Sequence, residues 1–426
     1  MNVAFFVHSA GLGGAERSLL ELVAELVADY GASCTVVVPG QGPLNAALLL
    51  AGAALIVNDD VGQWCQPSGS TEDIPARLTA GSHALCDHVI PALRRFKPDL
   101  IFTQTLTIPW GAAAASLLGK PHIWSVCEFG ELDHHLQFPV ALESICDAIV
   151  KGSSFVLTVS NAVRARLFPH LAEKMHTVYR HIPIPPDNIE HAVAPFPSCD
   201  RIRMTLAGTI VEGKGQEDAV RALAELVERG QDVELLLVGQ QGPAYTARIK
   251  ALVKNLNLKD RVHIEEFSSD PYTIIRRSDI LLVCSRHEAF GRIALEGMLL
   301  AKPVIYSRSG GVLEYMEDGI TGLAYTPGDG VDLADRVMEF VADPDRTHRI
   351  AAEAKRRAEA RFTRDAYGGE IYRIMQRVLR TKNAPIQIPP PVAATIAAAM
   401  RRHTLVQKIA LRLRAIRWSR PWQVRF

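Results

Sequence analysis

Two glutamates eight residues apart, Glu288 and Glu296, stand in the stretch "SRHEAFGRIALEGMLLAKPVIYSRSGGVLEY". The first follows "DILLVCS", an apolar run that reads as a buried strand. The second falls about two turns into a helix beginning near Phe290. Ligands of α/β proteins bind just beyond the carboxyl ends of parallel strands. A helix start there offers unbonded N–H groups and the positive end of its dipole, which can hold a diphosphate without a metal. One carboxylate then reaches a sugar hydroxyl beyond the phosphates, and the other reaches a ribose, since each accepts two hydroxyl donors. A bare pair at this spacing would more often be chance or a solvated face. The glycines, the proline and the second "GG" around it argue against that.

Lys214 follows the strand-like "MTLAG" in "MTLAGTIVEGKGQEDAV", on a loop before a helix. A lysine there is a mobile cation able to stabilise charge on a leaving nucleotide diphosphate. Alone it would read as a solvated surface lysine. The third stretch is "HSAGLGGAERSLLEL", residues 8 to 22. Gly11 and Gly13 fit a dinucleotide fingerprint, but its third glycine is replaced by Glu16, and no acidic residue ends "CTVVVPGQG" to hold a ribose. A plain tight turn and a cofactor site remain alternatives to the preferred reading, a flexible glycine loop whose N–H groups approach a ligand's phosphate.

These loops need a scaffold, and the chain supplies the rhythm for one. "NVAFFV", "CTVVVPG", "AALIVND", "DLIFTQT", "HIWSVCEF" and "FVLTVS" alternate with helix-compatible sequence. "RIRMTLAGTI", "VELLLVGQ", "RVHIEEF", "DILLVCS", "PVIYS" and "GLAYTP" repeat the pattern after a Pro-rich break at 181–200. Two βαβ blocks predict an α/β protein with two Rossmann-like domains, their parallel sheets facing across a cleft. The expected division is 1–185, 200–360, a helix at 361–383 returning toward the first domain, and a basic tail at 384–426. A chain of 426 residues is long enough for two cores.

Together "GGAER", "SNAV", "GKGQ", the Glu288/Glu296 pair with "AFG", "KPVI", "SGGVLEY" and "DGITGLAYTPGD" resemble a retaining glycosyltransferase of the GT-B fold, family 4, over roughly residues 1 to 380. The resemblance implies a nucleotide-sugar in the C-terminal half, UDP- or GDP-linked, with Glu296 at the ribose and Glu288 near the donor sugar. It implies Lys214 and the backbone N–H groups of Phe290, Gly291 and Arg292 at the diphosphate, with Gly13 and Gly14 closing from the other half. Family members commonly carry an arginine five residues before the lysine; Thr209 stands there, and Arg292 is the candidate replacement. On the acceptor side, many members place a histidine after the strand matching "HIWSV". Glu128 holds something like that position, and Asp133–His134–His135 lies just beyond. A histidine titrating near neutrality could orient an acceptor hydroxyl or take its proton, so His134 ranks before Glu128. A structural role for the histidines stays open.

The expectation is therefore sugar transfer with retention to a glycan or lipid-linked acceptor, in the making of cell-surface polysaccharide, with no cofactor, no metal and no nucleic acid. A non-catalytic partner of the same fold and a nucleotide-sugar epimerase are the alternatives. "DPD" at 343–345 reads as a helix start rather than a metal motif. Seven scattered cysteines fit reduced thiols in the cytoplasm. From Ala384 onward there are eight Lys/Arg and no Asp/Glu. Leu405, Ile409, Leu413 and Ile416 share a helical side there, bordered by Arg414 and Arg417 and followed by Trp418 and Trp422. That pattern suits an anionic membrane surface, here the inner face, or docking on the protein itself.

Overall fold

The structure, a computed structural model, describes residues 1–67, 71–169, 174–183 and 201–402. The N-terminal half contains β1 (Asn2–Phe6), β2 (Ser33–Val38), β3 (Ala54–Val57), β4 (Gln66–Pro67), β5 (Leu100–Gln104), β6 (His122–Val126), β7 (Leu136–Gln137), β8 (Phe155–Thr158) and β9 (Met175–Thr177). Seven of these form a parallel sheet in the order β3-β2-β1-β5-β6-β8-β9, and β4 pairs antiparallel with β7. The C-terminal half contains β10 (Ile202–Ala207), β11 (Val233–Val238), β12 (Val262–Glu265), β13 (Ile280–Val283), β14 (Val304–Ser307) and β15 (Leu323–Tyr325). Their order is β12-β11-β10-β13-β14-β15, again all parallel.

Strands covered by helices on both faces must be apolar throughout, and every residue of β5, β6, β13 and β14 is buried. In each sheet the strand order reverses beside the first strand, next to β1 and β10. The loops leaving those strands therefore border the crevice where such sheets bind ligands. The two-domain GT-B reading of the sequence agrees with this architecture. The strands it did not anticipate, β4, β7 and β9, have two or three residues, too few to show a period.

The first helix, Gly14–Tyr30, turns Leu19, Leu22, Val23 and Leu26 into the N-terminal core and stops at Gly31, which is left-handed at φ 59°. A second layer on that core comes from the far end of the chain. Tyr367, Ile371, Ile374, Met375 and Val378, on and before helix Glu370–Arg380, pack into the same cluster. Tyr372 stacks on Tyr30 at 4.1 Å. Each such aliphatic or aromatic burial is worth about 1.5–3 kcal/mol.

A helix at 390–402 also lies on the N-terminal half. It buries Val392, Ile396 and Ala399, and Thr395 Oγ1 is 2.7 Å from Ser82 Oγ. The opening part of the stretch expected to be a separate tail is thus core of the first half. Its basic amphipathic part, from Leu405 through Trp422, lies outside the described residues, as does 184–200 of the expected linker. Among the described residues, no helix is long and apolar enough to cross a membrane. In "DPD", the Asp343 carboxylate accepts from Arg346 N at 2.9 Å and caps helix Pro344–Arg361.

Candidate active site

Strand β13 delivers Cys284 and Ser285 to the crevice, and the loop after it carries Glu288. Its Oε2 accepts from Ser285 Oγ at 2.6 Å and from Lys214 Nζ at 3.0 Å. Burial works against charge on both partners. The ion pair outweighs it, holding the Glu288 carboxyl below its usual range and the Lys214 ammonium above its own. The main chain of Glu288 is set by the second glycine pair: Gly311 N donates to Glu288 O at 2.7 Å. Gly310 is left-handed at φ 68°, and a Cβ there would collide with the same carbonyl.

Lys214 ends a tight turn, Glu212–Lys214, stitched to the Glu288 loop by Arg286 N donating to Gly213 O at 2.8 Å. Asp218 braces both loops. Its carboxylate accepts from Arg286 Nη2 at 2.8 Å, from Tyr325 Oη at 3.0 Å and from Gly328 N at 2.8 Å. "GKGQED" and "AYTPGD" thus serve one purpose, fixing where Lys214 meets Glu288.

Helix Arg292–Leu299 starts at Gly291, φ 90°, where the Tyr315 hydroxyl lies 2.9 and 2.8 Å from the carbonyls of Phe290 and Gly291. Among the described residues no acceptor takes the N–H groups of Phe290, Gly291 or Arg292, which leaves them free to serve an anion at the helix start. Glu296 is buried and paired with the Arg292 side chain, Nε to Oε1 3.1 Å. Burial pushes its carboxyl up, with Arg292 opposing. Arg292 is therefore already committed to carboxylates. Thr209, exposed at the loop's edge, carries no charge, and its carbonyl accepts from Gln216 Nε2 at 3.0 Å.

From the N-terminal half, Gly13 ends the glycine loop and Gly14 begins the first helix; a Cβ on Gly14 would be 3.9 Å from Arg292 Cδ. The halves meet here. Glu16, where a third fingerprint glycine would be, faces His8, Oε1 to Nε2 3.2 Å. Burial lowers the His8 imidazole, with Glu16 opposing. His134 is half exposed, its Nε2 3.8 Å from Asp133 Oδ2. Asp133 is spent on the loop, accepting from Phe129 N and Gly130 N at 2.8 Å each. This segment lies against the Lys214 turn: a Cβ on Gly213 would be 3.1 Å from Asp133 O. His134 is close enough to bear on the charges of both His8 and Glu288.

Glu128 does not join them. Its two oxygens accept from Leu106 N at 2.6 Å and Cys127 N at 3.0 Å, so it is buried under the crevice as a brace between two loops. Burial pushes its carboxyl up to about 8, against those amide bonds. The structure thus brings Lys214, Glu288, His134, Gly13, Gly14, Phe290, Gly291, Arg292 and Glu296 together, turns the Glu128 carboxylate onto two backbone amides, and leaves Thr209 exposed and uncharged on the Lys214 loop.

Two contributions had no signature in the sequence. Glu21 meets Arg292 across the domain division. Glu314 crosses it, accepting from Asn161 N (3.0 Å), Ala162 N (2.7 Å) and Tyr179 Oη (2.6 Å). It places a carboxylate at the start of the other half's helix Asn161–Leu167. That contact joins "SNAV" to "SGGVLEY".

Comparison with known proteins bears on the family and the fold. The family model for glycosyl transferases group 1 matches residues 196–357, and that for the glycosyl transferase 4-like domain matches 13–180. Alpha-D-kanosaminyltransferase of Streptomyces kanamyceticus is 30% identical over 181 residues, 42% of this chain and 46% of that one. N-acetyl-alpha-D-glucosaminyl L-malate synthase of Bacillus anthracis is 32% identical over 174 residues, 41% of this chain and 45% of that protein. The chain thus spans about half the length of these two relatives. The lipopolysaccharide core biosynthesis glycosyltransferase LpsD of Rhizobium meliloti (strain 1021) is 25% identical over 364 residues, 84% of this chain and 94% of its own. Among solved structures, Anabaena HepE in complex with UDP and glucose superposes with a TM-score of 0.70 at 22% identity, covering 88% of this chain and 100% of HepE. Two family models that between them take in most of both halves, laid on a matching two-sheet fold, identify the chain as a member of the group 1 glycosyltransferases of GT-B fold.

Proposed function

We propose that the protein transfers a sugar from a nucleotide diphosphate-sugar to a glycan or lipid-linked acceptor with retention of anomeric configuration, in the assembly of a cell-surface polysaccharide. The observation that carries this reading is the partly buried Lys214–Glu288 pair beside the open N–H groups of Phe290, Gly291 and Arg292. The amides and the lysine neutralise a departing diphosphate without needing a metal, and their value grows as cleft closure removes water. Glu288 is held by Lys214 and Ser285, which suits it to accept hydroxyl bonds from the donor sugar rather than to attack its anomeric carbon. The acceptor hydroxyl then enters on the face from which the diphosphate leaves. The C–O bond to phosphate breaks, the new glycosidic bond forms, and the hydroxyl proton passes to the departing phosphate oxygen, with His134 orienting the acceptor.

A UDP-sugar is the favoured donor, since HepE, alike in fold, has been solved with UDP-glucose; LpsD supports the polysaccharide setting. The test is a thermal-shift panel of UDP-, GDP-, ADP- and TDP-sugars. A donor at ~100 times its dissociation constant should add about 2.7 kcal/mol of stability. The shift should vanish in Glu296→Ala, whose ribose contact is gone. No shift with any donor would favour a second reading, a non-catalytic partner of the same fold, to which Thr209 and the committed Arg292 lend support. Conversion of a donor without any acceptor would favour an epimerase.

The basic tail is proposed to hold the enzyme at an anionic membrane surface, the inner face of the cytoplasmic membrane. Truncation after Arg402 keeps Val392, Ile396 and Ala399 in the core and removes the amphipathic part. It should abolish co-sedimentation with vesicles containing acidic phospholipid while leaving the donor shift intact. Equal sedimentation of both forms would remove the membrane role.

A further inference from the structure

The two halves meet at a relay of ion pairs that the donor site shares. Arg292 opens the C-terminal half's helix Arg292–Leu299, yet its side chain reaches the other half. Nη1 and Nη2 lie 2.8 and 2.5 Å from the two oxygens of Glu21, and Nη1 is 3.3 Å from Ser18 Oγ, both on helix Gly14–Tyr30. Nε keeps its bond to Glu296 at 3.1 Å. The side chains of Arg292, Glu21 and Glu296 are 13%, 12% and 4% exposed.

One guanidinium therefore serves two carboxylates from two edges of its planar fork, a geometry a lysine could not reproduce. Taking Glu21 away would leave Arg292 able to swing toward Glu296 or toward the crevice, because nothing else in the described residues orients its Nη groups except the Ser18 hydroxyl. Glu296 Oε2 accepts no hydrogen bond among the described residues, so one oxygen is steadied by Arg292 and the other is open to a hydroxyl donor. Arg17, four residues before Glu21, crosses the same boundary and donates to the Ser269 carbonyl, so the first helix is seated on the C-terminal half at two points.

We infer that Glu21 is a positioning residue for the donor: acting through Arg292, it fixes the Glu296 carboxylate for a ribose diol and makes the seating of the N-terminal half a component of nucleotide binding. This rests on the donor reading above. The simpler alternative is an ordinary ion pair that holds the halves together whatever occupies the crevice. The two differ in one respect. A positioning role passes through Glu296 and has no effect once Glu296 can no longer serve, whereas a general clamp acts independently of it.

A calorimetric cycle on the full chain separates them, using UDP-glucose or whichever donor of the panel stabilises the wild type. Glu21→Gln is expected to weaken donor binding on the order of 10-fold, the size of coupling seen between groups in one buried network. Glu296→Gln should weaken it as well, and the double variant should bind no more weakly than Glu296→Gln alone. In steady state, Glu21→Gln should raise the donor KM with little change in the acceptor KM. Wild-type affinity in Glu21→Gln, or losses that multiply in the double variant, would overturn the inference while leaving the donor reading standing. If the wild type binds no donor of the panel, the donor reading falls and the inference with it. Should Glu21→Gln fail to fold, Glu21→Asp, which keeps the charge but shortens its reach, carries the same cycle.

Discussion

Lys214→Ala is expected to lower kcat by ~10²–10³, the scale of losing a preorganised group that stabilises transition-state charge. The lysine is partly buried with its charge sustained by Glu288, so in a closed cleft it meets a departing diphosphate with little water between them. Its loss acts twice. The leaving group loses a cation, and Glu288 loses the partner that keeps its carboxyl low, retaining only the Ser285 hydroxyl. Burial then favours the protonated acid, which offers a donor sugar fewer acceptor sites. Glu288→Gln should consequently cost nearly as much as Lys214→Ala, and the double variant little more than either, because residues acting as a unit do not add. The measurement is kcat for transfer with donor and acceptor saturating. A Lys214→Ala enzyme within threefold of wild type would sink the assignment of the site.

Gly310→Ala should be strongly damaging to the fold. The position is left-handed at φ 68°, and the new methyl group would overlap the Glu288 carbonyl oxygen, main chain that cannot rotate away. Gly230 is left-handed as well, at φ 77°, but a Cβ there meets nothing within 4 Å. Gly230→Ala should then show the conformational cost alone, about 1–2 kcal/mol. Gly310→Ala should exceed about 3 kcal/mol, since collision is added to strain. Urea unfolding of both variants tests this, read as a change in midpoint at constant slope. Equal losses would show that the loop carrying Glu288 yields to the methyl group, and that its conformation is less tightly set than the hydrogen bond from Gly311 implies.

The fold was legible because a parallel strand covered on both faces leaves a continuous apolar run, and twelve of those runs sit where the structure places strands. The Glu288/Glu296 pair was legible because one loop and one helix carry both, so spacing along the chain translates into spacing at the site. Glu128 shows where that logic stops. A carboxylate just past a strand looks the same whether it faces a substrate or a backbone amide. The amide it serves, at Leu106, is 22 residues away and reaches it only through the pairing of β5 with β6. The partners of Glu21 and Glu314 are 271 and 153 residues distant and depend on how the halves are seated. No local pattern encodes that seating, because the matching charges lie on elements that each fold correctly without the other.

The helix Glu370–Arg380 belongs by sequence to the end of the molecule and by packing to its beginning. The backbone therefore passes between the halves twice, once ahead of β10 and once after helix Pro344–Arg361. A fragment cut to the first sheet alone would present a bare apolar trough where Tyr367, Ile371, Ile374, Met375 and Val378 belong. Expressed that way it should aggregate, and a peptide covering 362–402 supplied in trans should rescue its solubility. For the same reason a single protease nick between the two sheets should leave a noncovalent pair that elutes as one particle, so the unit that folds is not the unit that the order of residues suggests.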